Sequence, residues 1–169
     1  MKEIERILKL DQAGEYGAIQ IYSAQLLLAR LFYKDIISQL DEMIVHEKEH
    51  YKIFTDLLVA RSIQPFRTIK LWAIGGFVLG FVTAILGRTP VWICTDAVET
   101  AVLHHLEWQL EFLGKNDSQA HLAVLSIVAD EKSHQEFGRS HGESSRLYAP
   151  IFFVVSKATD FAIWLSMKR

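Results

Sequence analysis

The sequence predicts an all-α protein, six helices with short connections packed as a bundle. Three observations lead there. No stretch sustains the period-2 alternation and regular turn spacing of a sheet. The three prolines, Pro65, Pro90 and Pro150, each fall where a helical pattern starts or stops. The breaks, among them RSIQPFR and GKND, are short, which favours antiparallel neighbours. The helices are expected over 2–31, 35–61, 69–86, 90–114, 117–140 and 148–167. Asp117 or Ser118 can cap the fifth, and Pro150 suits the first turn of the sixth. With 169 residues and no low-complexity linker, the chain reads as a single domain spanning 1–169.

Composition excludes several classes. Half of the residues are hydrophobic, rich for a soluble protein but short of a multi-span membrane protein. A net charge of −2 and the lack of a basic stripe argue against nucleic acid as a partner. Cys94 stands alone, so neither a disulfide framework nor a thiolate metal site is available. The opening MKEIERILKLDQAGEYGA is charged and amphipathic rather than a signal or transit segment. The expectation is a cytosol-side or already trimmed protein.

The chemistry is carried by a repeat. The stretch 47-EKEH-50 places Glu47 three residues before His50, and 131-EKSH-134 does the same with Glu131 and His134. With 12 Glu and 7 His, about 0.5 such pairs are expected by chance. Residues i and i+3 share a helix face, so each pair can present a carboxylate and an imidazole together. Glu15 lies 32 residues before Glu47, and Glu99 lies 32 residues before Glu131. A single offset of 84 relates 15 to 99, 47 to 131 and 50 to 134. Thirty-two residues is one helix, a turn and part of the next, which levels the ligands of two antiparallel helices. Four helices each offering an inward Glu, two of them adding a His, is the di-iron carboxylate pattern of ferritin-like bundles. The expected metal ligands are therefore Glu15, Glu47, His50, Glu99, Glu131 and His134. Four carboxylates balance two divalent ions, and carboxylate with imidazole suits iron or manganese better than zinc.

The flanking residues agree with inward placement. Met43, Ile44, Tyr51 and Phe54 share a face with Glu47, and Ile127, Val128 and Phe137 with Glu131. A carboxylate on an apolar face is costly unless paired, protonated or metal-bound. Gly14, Gly17 and Ala18 beside Glu15 mean either space for a flat ligand or close helix packing. Asp11 and Asp96, each about one turn before a ligand glutamate, are candidate acceptors for the outer N–H of the ligand histidines. His104 and His105 read as structural or supporting the ligands. Tyr16, His46, His121 and His141 read as structural, and Glu42, Glu49, Glu107 and Glu111 as solvated helix faces.

The segment 71-LWAIGGFVLGFVTAILG-87 carries no charge over 17 residues and is flanked by Arg67, Lys70 and Arg88. It reads as a helix lying in a membrane interface or as a buried core helix; a true span is the third reading. The apolar part of the last helix, 151–165, is a second candidate for the same surface.

The sequence resembles the demethoxyubiquinone hydroxylases, the di-iron monooxygenases of ubiquinone biosynthesis, through nearly its whole length. The resemblance rests on 11-DQAGEYGA-18, 46-HEKEHYKIF-54, the 71–87 block, 94-CTDAVETAVLHH-105, 130-DEKSH-134 with 138-GRSH-141, and 162-AIWLS-166. The iron ligands it implies are the same six residues. It further implies two Fe ions and O2-dependent hydroxylation of a polyprenyl methoxybenzoquinol ring, with NADH as reductant. One oxygen enters the ring and the other leaves as water. No GxGxxG segment for a nicotinamide is present. The implied location is peripheral, on the cytoplasmic face of a bacterial membrane or on the matrix face of the mitochondrial inner membrane for a trimmed chain. A homo-oligomer or a lipid-presenting partner protein stays open. The chain departs from the family's usual pattern at Gln12 (commonly His), Thr100 (often acidic) and Leu106 (often Tyr). No ligand is touched, but roles of those side chains in electron or proton delivery are placed in doubt.

Two other functions use the same residues. A ferritin-like ferroxidase or peroxide-reducing protein shares the six ligands but needs no apolar 71–87 block. A non-catalytic, metal-stabilised lipid-binding scaffold would keep its activity without metal.

Overall fold

The computed structural model describes residues 2–142 and 148–168. Within them the chain forms α1 (Lys2–Phe32), a 3-10 turn (Lys34–Ile36), α2 (Ile37–Ala60), α3 (Ile69–Leu86), α4 (Arg88–Asn116), α5 (Ser118–His141) and α6 (Ala149–Met167), with no strand. The six expected helices are present. The largest differences are the 3-10 turn ahead of α2 and the start of α4 two residues before Pro90. Proline needs no intrahelical donor in the first turn, so Pro90 sits inside the helix there.

The helices α1, α2, α4 and α5 make a ferritin-like four-helix bundle. Tight connections fold α1 back on α2 and α4 back on α5, and the two hairpins face each other. Two apolar clusters fill the bundle. One gathers Tyr22, Leu40, Met43, Trp92 and Cys94; the other gathers Ile7, Leu8, Phe54, Leu113 and Ile127. Along every helix the six motif residues fall between these clusters, so they form one polar layer in the middle of the core.

The α4–α5 turn is a single residue, Asp117. Its Oδ1 accepts from the Ala120 backbone N–H at 3.0 Å, capping α5, and from Arg61 Nη2 at 3.0 Å. This links the end of α2 to the start of α5. The Arg61 guanidinium holds the Asp117 carboxyl below its usual range. A depressed folded-state value means the stabilisation is present above the unfolded value and lost as pH falls through the folded one. Asp117→Ala is therefore expected to cost about 1–2 kcal/mol at neutral pH. The gap between variant and parent should narrow on acidification, as read from urea unfolding midpoints.

Helix α3 is not a core helix. One stripe, Gly76, Gly80, Thr83 and Ala84, is buried against α1, while Leu71, Ile74, Val78, Ile85 and Leu86 are exposed. A Cβ at Gly76 would overlap the Gly17 carbonyl, and one at Gly80 the Ile21 carbonyl. The two backbones touch there because neither glycine has a side chain. Helix α6 packs on α4 and is tied to α3 by a hydrogen bond from Trp72 Nε1 to Ser166 Oγ at 3.2 Å.

Candidate metal centre

The bundle brings all six motif residues together at 1–6% exposure. Their donor atoms form two groups, each with all atoms within 4.8 Å of one another. The first is Glu15, Glu47, His50 and Glu131; the second is Glu47, Glu99, Glu131 and His134. Glu47 and Glu131 belong to both, so the centre has two lobes sharing two carboxylates.

The side chains do not satisfy one another. His50 Nδ1 lies 3.0 Å from Glu131 Oε1, and His134 Nδ1 lies 3.2 Å from Glu47 Oε1. These four buried atoms nevertheless have no aligned hydrogen-bond partner. Short distance with poor alignment is what atoms aimed at a common third point produce. A donor set of four carboxylates and two imidazoles, with orphaned atoms in each lobe, fits a pair of hard-to-borderline divalent ions.

The electrostatics describe a centre strained by its own charge. Burial and the neighbouring carboxylates push Glu47 and Glu99 well above the usual range, and burial pushes Glu15 up. Burial is the largest single influence on Glu131 and acts to raise it, but His50, Glu99 and His134 together hold the carboxyl below its usual value. Burial opposes charge on His50, yet the Glu131 and Glu15 carboxylates push it up to about 11. Burial holds His134 below the normal imidazole range.

The outer nitrogens of the histidines have partners, but not the expected ones. His50 Nε2 pairs with Asp130 Oδ2 at 3.1 Å, and His134 Nε2 pairs with His46 Nδ1 at 3.1 Å. Asp11 instead accepts from Gln109 Nε2 at 2.9 Å, and Asp96 pairs with Arg139 and Thr100. The helical twist explains the correction. A residue one turn before a ligand glutamate lies beside that glutamate, whereas each imidazole reaches across to the hairpin opposite. The partner of each histidine is the residue just before the glutamate of the other motif. His46, expected to be structural, thus supports His134. The 84-residue offset relates 46 to 130 and was the signal that could have found both. Tyr22 was also missed; its hydroxyl donates to Glu99 Oε1 at 2.6 Å. No local pattern around it marks this role.

A cavity of about 1120 Å³ opens from the four carboxylates toward α3 and α6. Gly14, Trp72, Leu79, Val98, Leu106 and Ile163 supply part of its wall. Both readings of the small residues beside Glu15 hold, at different positions. Gly14 leaves open space, while Gly17 is packed against Trp72 and the α3 backbone. His105 also lines the cavity, its Nδ1 accepting from Trp108 Nε1, whereas His104 is exposed. Gln12 is buried and donates to Thr55. Glu42, Glu49, Glu107 and Glu111 face solvent as expected.

A four-helix bundle with a buried, two-lobed layer of carboxylates and imidazoles is the mark of the ferritin-like carboxylate proteins. The model of one family, "Ubiquinone biosynthesis protein COQ7", matches residues 2–166, and the chain belongs to that family. Among its curated relatives is the "NADPH-dependent 3-demethoxyubiquinone 3-hydroxylase, mitochondrial" of Dictyostelium discoideum, 36% identical over 170 residues, covering 98% of this chain and 77% of the relative. The human protein of the same name is 33% identical over 168 residues, covering 96% and 76%. The "3-demethoxyubiquinol 3-hydroxylase" of Rhodospirillum rubrum is 34% identical over 168 residues, covering 96% and 77%. The mitochondrial names print NADPH where the sequence resemblance had implied NADH.

Proposed function

We propose that this chain, acting as one domain over 1–169, is a 3-demethoxyubiquinol 3-hydroxylase. The observation that carries the reading is the cavity joining the carboxylate layer to the apolar α3–α6 wall. Its volume of about 1120 Å³ exceeds what a lone ring occupies and suits a quinol ring with the first part of an isoprenoid tail. Glu15, Glu47, His50, Glu99, Glu131 and His134 would hold two iron ions, with Glu47 and Glu131 shared between them. When bound, the irons supply the redox chemistry that activates O2. The net change puts one oxygen atom into a ring C–H bond, and two electrons and two protons reduce the other to water. A nicotinamide reductant, NADPH by the names of the mitochondrial relatives, is the proposed source of those electrons.

The chain's own contribution is positioning and exclusion of water. Asp130 accepts the outer N–H of His50, and His46 Nδ1 pairs with His134 Nε2, so each Nδ1 is left to face the centre. Tyr22 fixes one oxygen of Glu99 and leaves the other to the centre. The apolar cavity walls keep bulk water from the carboxylates, which strengthens every charge interaction there.

The exposed faces of α3 and α6 are proposed to rest on a membrane surface. Basic Arg67, Lys70 and Arg88 flank α3, and Phe153, Phe161 and Trp164 project from α6. A true span fits less well, because α3 lies lengthwise on α1 and could not cross without it. By this reading the protein is peripheral, on a cytoplasmic or mitochondrial matrix face. Changing Ile74, Phe77 and Ile85 to Ser, none of which lines the cavity, should weaken binding to anionic vesicles by roughly 1–2 kcal/mol per residue. Turnover of a short-tailed quinol should be unchanged.

The discriminating experiment offers the iron-loaded, reduced protein either a demethoxyquinol with O2 or free Fe(II) with peroxide. Hydroxylated product, with little net iron or peroxide turnover, supports the hydroxylase. Fast peroxide consumption without ring product would instead indicate a ferroxidase-type protein. Full complementing activity by metal-free protein would indicate a scaffold.

A further inference from the structure

We infer that Asp11 and Gln109 form a subsite that holds the ring oxygens of the substrate and selects the reduced, hydroxyl-bearing ring. This inference rests on the hydroxylase reading and extends it to how the head group is recognised.

The two residues come from α1 and α4, ninety-eight positions apart, and both line the cavity. Gln109 Nε2 donates to Asp11 Oδ1 at 2.9 Å, which fixes the orientation of the amide. That leaves Asp11 Oδ2 and Gln109 Oε1, both buried and both without a partner. The residues are only 7% and 1% exposed. No described cation pairs with Asp11, and neither ligand histidine uses it. Half-satisfied buried polar groups cost free energy that the fold itself does not recover. A ligand that brings hydrogen-bond donors into this part of the cavity would recover it.

The chemistry of such a ligand is restricted. Gln109 Oε1 can only accept, so it needs a donor. A quinol carries two phenolic O–H groups, whereas the oxidised quinone carries none. Asp11 can accept from a hydroxyl, or donate to a ring oxygen when protonated, so it holds the ring in either form. Selection for the quinol therefore falls to Gln109 and anchoring to Asp11. An isoprenoid tail has no polar group for either residue. Asp11 lies four residues along α1 from Glu15 and Gln109 is bonded to it, so a ring held there sits beside the carboxylate layer.

The test is anaerobic titration of the iron-loaded protein with a short-tailed demethoxyquinol, the matching quinone, and the hydrocarbon farnesene as a tail mimic. Quenching of Trp72, which lines the cavity, reports binding. The parent protein should bind the quinol about tenfold or more tightly than the quinone. Gln109→Met should erase that ratio, and Asp11→Leu, which can neither accept nor donate, should weaken both ring ligands about tenfold. Farnesene affinity and iron content should not change. The double variant Asp11→Leu with Gln109→Leu should raise the melting temperature, since it removes both partners and leaves no orphaned polar group, and a polar pair kept for binding is a burden on the fold. Variants that bind the quinol as the parent does, or that lose farnesene equally, would overturn the subsite. So would variants with a lowered melting temperature and lost iron, which would mark a structural pair. Hydroxylation by the parent alongside those results would leave the hydroxylase reading standing. A parent that neither binds nor hydroxylates the quinol would overturn both.

Discussion

Glu47→Gln is expected to abolish ring hydroxylation, empty both metal positions and yet stabilise the metal-free protein. Glu47 contributes to both lobes of the centre, so its loss disables both. The loss of metal affinity should exceed the 10- to 100-fold typical of residues that merely orient ligands. Stability moves the other way for a reason visible in the metal-free site. Burial and the carboxylates of Glu131, Glu15 and Glu99 push the Glu47 carboxyl well above its usual range. A carboxyl whose folded-state value is raised destabilises the fold once pH exceeds its unfolded value, because its charge is better accommodated in the unfolded chain. A neutral isostere removes that cost. Glu99→Gln, which touches one lobe only, should spare part of the metal binding. Iron analysis together with melting curves, with and without metal, checks each step.

Gly14→Leu is expected to separate stability from activity in the same manner at a different place. A Cβ at Gly14 meets nothing within 4 Å, and the residue lines the cavity beside Glu15. In mid-helix, replacing glycine with a good helix former should add about 1 kcal/mol of stability. The longer side chain occupies space proposed for the ring, and displacing a reacting group by an ångström can cost roughly 100-fold in rate. The expected variant binds iron normally, melts higher and hydroxylates roughly 100-fold more slowly. Gly76→Leu serves as the contrast. Its Cβ would collide with the Gly17 backbone, so it should lose stability together with activity.

These predictions use two kinds of information, and only one was legible in the chain. The meeting of the six motif residues in one buried layer was readable from their spacing. Glu-x-x-His needs one helix face, and a bundle needs its ligands level, so 47/50, 131/134, 15 and 99 repeat at a fixed offset. The helices were readable for the same local reasons, and Asp117 caps α5 as its position suggested. What was not legible depends on contacts between hairpins. Asp130 and His46 reach the histidine of the opposite motif, and Tyr22 reaches Glu99 across 77 positions. Asp11 was assigned to the wrong partner because proximity along α1 says nothing about what faces it from α4. The apolar α3 posed a similar problem. Its glycines signalled close packing, but only the fold reveals that one stripe meets α1 while the opposite face is left bare. The cavity arises where α3 and α6 meet, through residues 94 positions apart, and no local pattern encodes it.

By the hydroxylase reading the carboxylate–histidine centre inserts an oxygen atom from O2 into a quinol ring. This insertion is tested most directly by a single turnover of the iron-loaded, reduced protein with a demethoxyquinol under 18O-labelled O2, followed by mass analysis of the quinone product. Each product ring should carry one labelled oxygen, with product in proportion to the iron bound and none from Glu47→Gln. Unlabelled product, or no product from protein carrying its full iron, would contradict it.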